Sequence, residues 1–581
     1  MKIIISTNLL AIVAVFPILV ALISMVGLRW GAAKAMTLAW LTCALAAIFV
    51  WHLPALYVSA LSLQGIISAM SVLIIVFGAL LILHTLQYSG AMETIQYGMQ
   101  SISKDMRIQA IIIGYMFSAF IEGAAGFGTP AALTAPLILA LGFPPLAAAI
   151  LCLTLNSFPV TFGAVGTPMI TGFGASLQSL IEQAVAHGTF SSSAHCLEVI
   201  GRAVALMHIP MIFFLPIFTL GLITRYFGPN RSWKEGFAAW KFCIFSAVAF
   251  TVPFLLIAWF MGPEMPSMIG GLIGLSIIVF GAKHGFCVPK TVWTFGEVFK
   301  WEKDWSGEVV FDDNSELKPQ MSQFMAWMPY ILIGIILVLT RIDALPLKEI
   351  FNRYGVIAFS DILGYKGVNE SSLKLLYLPG IIPFTLIAVL TIFMHSIPMR
   401  KVVKAWMETL SKMKTAAISL CASVALVKIF QGSGNFTHPD LIAQLAAEGV
   451  DTNILSMPRA MAEAIGGVVG PLWPMVASYV GGLGSLITGS NTVSNILFGQ
   501  FQWDMAELQN ISRIVILAAQ GTGGAMGNMV CIHNIVAVCA VLGLSNREGD
   551  ILKKTFWPFL LYGISTGLMA YIFIAMGYAV F

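Results

Sequence analysis

Apolar stretches close to 20 residues long recur along this chain. Leu9–Gly27, Ile66–Leu83, Phe242–Met261, Leu373–Phe393 and Phe556–Tyr578 are examples. Each is long enough to cross about 30 Å of hydrocarbon as a helix. A backbone in lipid must satisfy its own polar groups, and helices do so within one segment. Composition agrees: 10% of the 581 residues are charged and 58% are hydrophobic, whereas soluble domains carry roughly 25% charged residues. The expected fold class is an all-α polytopic membrane protein with about 12–14 membrane segments. The opening run, "MKIIISTNLLAIVAVFPILVALISMVG", reads as the first spanning helix, since a cleaved leader has a shorter apolar core.

The densest basic patch is "MRKVVKAWMETLSKMK", Met399–Lys414. The positive-inside rule places it on the cytoplasmic side. No soluble basic domain is present, so nucleic acid is not an expected partner. The eight cysteines form no C-x-x-C pair and read as small core residues. Polar stretches at Lys283–Met325 and Asp343–Ser372, and a milder one at Ile170–Leu197, read as loops or small caps.

An internal repeat divides the chain. "HTLQYSG" (His84–Gly90) resembles "KIFQGSG" (Lys428–Gly434). "EGAAGFGTP" (Glu122–Pro130) resembles "EAIGGVVGP" (Glu463–Pro471). "NSFPVTFG" (Asn156–Gly163) resembles "NTVSNILFG" (Asn491–Gly499). The offsets are 344, 341 and 335 residues, in the same order. The expected organisation is a first transmembrane half over 1–282 with repeat 1 at about 66–170. Polar loops with one or two membrane helices follow over 283–372. A second half over 373–581 holds repeat 2 at about 410–505. Secondary transporters are commonly built from two such halves.

Glycine, proline and small polar residues interrupt the apolar runs at the repeats. Irregular backbone at membrane depth must be buried in protein or line a wet cavity. Such breaks expose helix N-termini that favour an anion. Gly and Pro also serve ordinary helix packing, but packing does not explain why Asn, Ser and Thr collect at the same breaks. Ionisable residues within spans are costly and functional by default; here they are His84, Glu122, Arg202, His208, Lys428, Glu463 and His533. Glu122 opens the first break and suits a proton carrier, or holds the loop as a protonated hydrogen-bond donor. Glu463 is its repeat mate, and His533 lies between Asn528 and Asn534. His84 and Lys428 each precede a glutamine, Gln87 or Gln431, by three residues, on one helical face. Lys428 can attract a carboxylate or snorkel to the interface. Arg202 and Arg513 fit helix ends. The chain has no P-loop and no H-E-x-x-H, and neither an enzyme, a metal site nor a cofactor is expected.

"FIEGAAGFGTPAAL", "LCLTLNSFPVTFGAVGTP", "LITGSNTVSNILFGQFQ" and "GNMVCIHNIVAVCAVLGL…REG" resemble the signature stretches of the lactate permease family, in order along most of the chain. The resemblance implies a 2-hydroxymonocarboxylate:proton symporter taking L-lactate, D-lactate and glycolate across a bacterial cytoplasmic (inner) membrane. "SNT" (Ser490–Thr492) is also similar to motifs of the wider ion transporter superfamily, whose members use re-entrant hairpins in an elevator-like fold; "NSF" (Asn156–Phe158) stands at the matching place in the first half. In the resulting expectation, the carboxylate accepts backbone N–H bonds near Gly126, Gly128 and Thr129 and near Ser490, Asn491 and Thr492. Asn156, Ser157, Asn528 and Lys428 complete the substrate site. Glu122, with Glu463 and His533, carries the proton. A homodimer is compatible with this arrangement. The alternatives are a sodium-coupled transporter of another small carboxylate or sulfonate, and an anion channel.

Overall fold

Two very long helices, Ala55–Ser89 and Met399–Gln431, form the frame of the computed structural model. At 1.5 Å per residue each is about 50 Å long, well beyond the thickness of a bilayer core. They run antiparallel. The Tyr57 hydroxyl donates to the Gly432 carbonyl at 3.1 Å at one end, and His84 Nδ1 meets Thr409 Oγ1 at 2.8 Å at the other. Glycines bring the backbones together: a Cβ on Gly65 would stand 2.5 Å from the Ala425 Cα. Such small residues are the usual means of close helix approach in membranes. The matched sequences at 84–90 and 428–434 thus finish two packed helices at opposite ends of the molecule.

The structure describes residues 6–28, 30–126, 129–296, 301–302, 305, 318–340, 345–378, 380–544 and 547–578. Among these, eleven helices are long and apolar enough to span a membrane, or twelve when the bent pair Pro145–Leu155 and Phe158–Phe173 counts as one span. Two shorter apolar helices, Gln323–Leu339 and Gly380–Met394, bring in the remainder of the expected range. The chain is a multi-pass, predominantly helical membrane protein.

The predominantly helical fold carries one small antiparallel ribbon, Val356–Phe359 with Glu370–Lys374. Two local expectations need correcting. The apolar run from Leu373 is a helix only from Gly380, the ribbon and a turn taking its first residues. The supposed loop over 170–197 is largely helical, with Gln178–Ala186 at its centre and Ser193–Phe227 beginning within it. In addition, "GISTG" at Gly563–Gly567 matches the pattern of a hydrolase nucleophile elbow. It lies inside the continuous helix Glu548–Ala575, where its glycines receive Tyr479 and Met475, so no elbow exists.

The second half contains a helical hairpin. Trp473–Thr488 ends at Gly489, whose φ of +75° reverses the chain, and Ser490 caps the returning helix Asn491–Leu508. Buried polar side chains tie the arms together. Trp473 Nε1 donates to Gln502 Oε1 at 2.9 Å, Gln502 Nε2 to the Ala477 carbonyl at 3.0 Å, and Ser494 Oγ to the Gly481 carbonyl at 2.7 Å. Arg513–Gly527 packs alongside, and its Gln520 joins Gln502 at 2.9 Å and Ser494 at 3.1 Å.

Candidate functional site

The hairpin tip meets the broken helices of the first half. A partly open cavity of about 30 Å³ is lined by Glu122, Gly126, Val160, Gly163, Ala164 and Pro168 from one half, and Gly489, Ser490, Asn491, Thr492 and Asn528 from the other.

Backbone irregularity shapes the first-half wall. Ser118–Ala125 ends at Gly126, with φ +60° and ψ −156°, a region open essentially to glycine alone. A Cβ there would also stand 2.7 Å from the Ala164 Cβ. Opposite it, Ala164, Val165 and Gly166 form three consecutive left-handed residues, with φ of 43°, 53° and 72°. This costs an L-residue about 1–2 kcal/mol, and such strain gathers at functional sites.

The two walls differ in polarity. Glu122 is 3% exposed. Its Oε2 accepts from Asn156 Nδ2 at 2.9 Å, and Asn156 Oδ1 accepts from Ser118 Oγ at 3.1 Å. Helix 118–125 presents its C-terminal, carbonyl end here, the negative end of its dipole. Across the cavity, Asn491–Leu508 presents its N-terminal, amide end. The Ser490 hydroxyl accepts from Val493 N at 3.4 Å, and the amides of Asn491 and Thr492 belong to the opening turn, whose donors have no intrahelical acceptor. One wall suits a proton or cation and the other an anion.

The expected residues distribute unevenly. Glu122, Gly126, Ser490, Asn491, Thr492 and Asn528 line the cavity, and Asn156 supports it through Glu122. Gly128 lies outside the described residues, and Thr129 opens the helix Thr129–Ala140. Ser157 turns away, its hydroxyl donating to the Thr154 carbonyl at 2.8 Å. His533 packs beside Gly489 behind the lining. Lys428 is buried one turn before Gln431, whose Nε2 donates to the Ser176 carbonyl at 2.5 Å, and is not in the lining. Glu463 is 34% exposed, pairs with Arg459 at 3.5 Å and lies outside the cavity. The second-half break falls at Gly470, φ +49°, beyond the aligned Gly467, so the repeat letters do not mirror Glu122 in space. His84 sits in the frame between Thr409 and Lys412. Buried His208 bonds Thr161 at 2.7 Å and Tyr562 at 2.5 Å.

Sequence reasoning missed Asn495 and the supporting role of Asn534. Asn495 Nδ2 donates to the Pro168 carbonyl at 3.0 Å, joining the hairpin to the first half. Asn534 Nδ2 bonds the Asn528 side chain and orients it. The signal for Asn495 was its position one helical turn beyond Asn491, on the same face.

A cavity between spanning helices, lined by a hairpin tip and broken helices, fits a membrane transporter. The chain belongs to the L-lactate permease family, whose model matches residues 10–577. A Haemophilus influenzae protein assigned as an L-lactate permease is 32% identical, over 98% of this chain and 99% of its own. The Escherichia coli glycolate permease GlcA is 26% identical over 98% and 97%. The Bacillus subtilis L-lactate permease is 25% identical over 84% and 82%. The solved Alcanivorax borkumensis YdaH transporter aligns over 87% of this chain and 86% of its own at 13% identity and a TM-score of 0.40, too low to define topology.

Proposed function

We propose that the protein takes up L-lactate, and with it D-lactate and glycolate, by proton symport across a bacterial cytoplasmic membrane. The observation that carries this reading is the pairing of a buried carboxyl, Glu122, with a helix N-terminus, Ser490–Thr492, across one cavity. The relatives' names supply the cargo: lactate and glycolate. Their bacterial sources supply the membrane.

The chemistry is charge compensation. A lone carboxylate is expensive in a low-dielectric cavity. Amides at the start of Asn491–Leu508 and the Asn528 side chain bond the substrate carboxylate. The Asn491 side chain is engaged with the Gly521 carbonyl at 3.3 Å and braces the hairpin tip. Glu122 takes up a proton as the anion arrives, so the loaded site carries no added charge and can cross the membrane dielectric. Asn156 keeps the Glu122 carboxyl aimed into the cavity.

The test is uptake of labelled L-lactate into proteoliposomes under an imposed pH gradient. Wild type accumulates lactate, and Glu122→Gln loses accumulation by tenfold or more. Unaltered proton-driven uptake by Glu122→Gln removes Glu122 as the carrier. Loss of wild-type accumulation when choline replaces sodium, with no response to the pH gradient, overturns proton coupling.

A further inference from the structure

A second buried carboxylate lies at the far end of the helix whose start lines the cavity. Asp504 follows Asn491 by thirteen residues, roughly 20 Å along the axis. It is 6% exposed, and its Oδ2 is buried without a hydrogen-bond partner. Charged groups face it from three elements: Arg459 and Glu463 on Met457–Val469, Glu507 on its own helix, and Arg513 at the start of the next. Both guanidinium groups bond carboxylates other than Asp504. Arg459 meets Glu507 at 2.7 Å and Glu463 at 3.5 Å, and Arg513 meets Glu507 at 3.0 Å. The packed segments 473–488 and 168–176 carry no Asp, Glu, Lys, Arg or His, and helix Met399–Gln431 brings buried Lys428 to this end.

With Asp504 ionised, the cluster holds three carboxylates against two guanidiniums, and the surplus falls on its most buried member. Uncompensated buried charge is strongly unfavourable. The cluster stands at the water-facing turn that joins the hairpin to Arg513–Gly527. It also adjoins the 433–435 end of the frame, where Ser433 Oγ accepts from Met457 N at 2.8 Å. That end is opposite the basic patch.

We propose that Asp504 is a second proton-binding site, outside the substrate cavity, that sets how firmly the hairpin base is held against Met457–Val469. A proton from the adjoining water bonds to Oδ2, removes the surplus charge and leaves every arginine bond in place. Its departure restores the surplus and loosens the base, and the tip at Ser490 and Asn491 moves with its arm. The two guanidiniums disfavour a sodium ion in the same place.

This inference rests on the symport reading, and one experiment separates the two. Labelled lactate is followed in proteoliposomes by two modes: accumulation driven by a pH gradient, and exchange against internal unlabelled lactate without a gradient. Asp504→Asn is expected to lose at least tenfold more accumulation than exchange, and its dependence on external pH to flatten. Asp504→Glu is expected to accumulate again, with a displaced pH profile. An Asp504→Asn protein that accumulates with the wild-type pH profile overturns the Asp504 assignment and leaves symport standing. Wild type that does not respond to the pH gradient overturns both. If Asp504→Asn does not assemble, Asp504→Glu decides: a displaced profile supports the site, and a wild-type profile refutes it.

Discussion

The Asn156 side-chain amide donates to the Glu122 carboxyl across 2.9 Å, and both residues are buried. The amide comes from the break after Pro145–Leu155, and the carboxyl from the last turns before Gly126. Two interruptions distant in sequence are therefore joined at one buried carboxyl group. Asn156→Ala removes this donor. A hydrogen bond to a charged group is worth about 1.5–3 kcal/mol, so lactate uptake should fall about tenfold or more with protein levels largely kept. Initial uptake rates, normalised to protein in the membrane, check this. Wild-type rates would show that Glu122 needs no orienting partner.

Two glycines matched by the repeat should respond in opposite ways. Gly126→Ala forces an L-residue into a glycine-only conformation and meets Ala164, so transport should be lost and the thermal midpoint lowered. Gly467 lies in the helix Met457–Val469 with open space where a Cβ would go. Gly467→Ala should be neutral, or stabilising by up to about 1 kcal/mol. Thermal unfolding in detergent, paired with uptake, reads both.

Asn495→Ala should weaken the tie between hairpin and first half. It leaves the Pro168 carbonyl without its buried donor, at a cost of about 1–3 kcal/mol. Proteolysis of the purified protein in detergent should then cut within 473–508 sooner than in wild type, and an unchanged cleavage pattern would count against the tie.

His208→Phe should destabilise the fold without touching the cavity lining. It strips Thr161 and Tyr562 of a shared partner at a fully buried position. The expected loss is about 1–3 kcal/mol, chiefly from the Tyr562 hydroxyl, since Thr161 Oγ1 keeps its bond to the Gly521 carbonyl at 3.4 Å. His208→Gln, able to bond one of them, should recover part of it. Equal midpoints for the two variants would contradict this account.

Much of the frame was legible because the rule behind it is a length: a helix such as Ala55–Ser89 must outspan the hydrocarbon. The breaks at Gly126 and Gly489 were legible because glycine clusters are costly without a use. What failed was register. Letter matching paired Glu463 with Glu122, yet the second break comes at Gly470, and the cavity wall that presents helix amides comes from a separate hairpin. The left-handed run at Ala164 and Val165 had no signal, since alanine and valine argue against positive φ. The ribbon at 356–374 was hidden in a stretch read only for polarity.

The close crossings of the frame bear on what can move. Gly65 lies against the Ala425 backbone, and Gly78 against the Gly380 backbone, with no room for even a methyl group between them. A joint made backbone to backbone has no rotamers to rearrange and no slack to take up. It acts as a post rather than a pivot. Relative motion then falls to contacts made by side chains, which can trade one partner for another; the hairpin has one of these with the first half, from Asn495 to the Pro168 carbonyl.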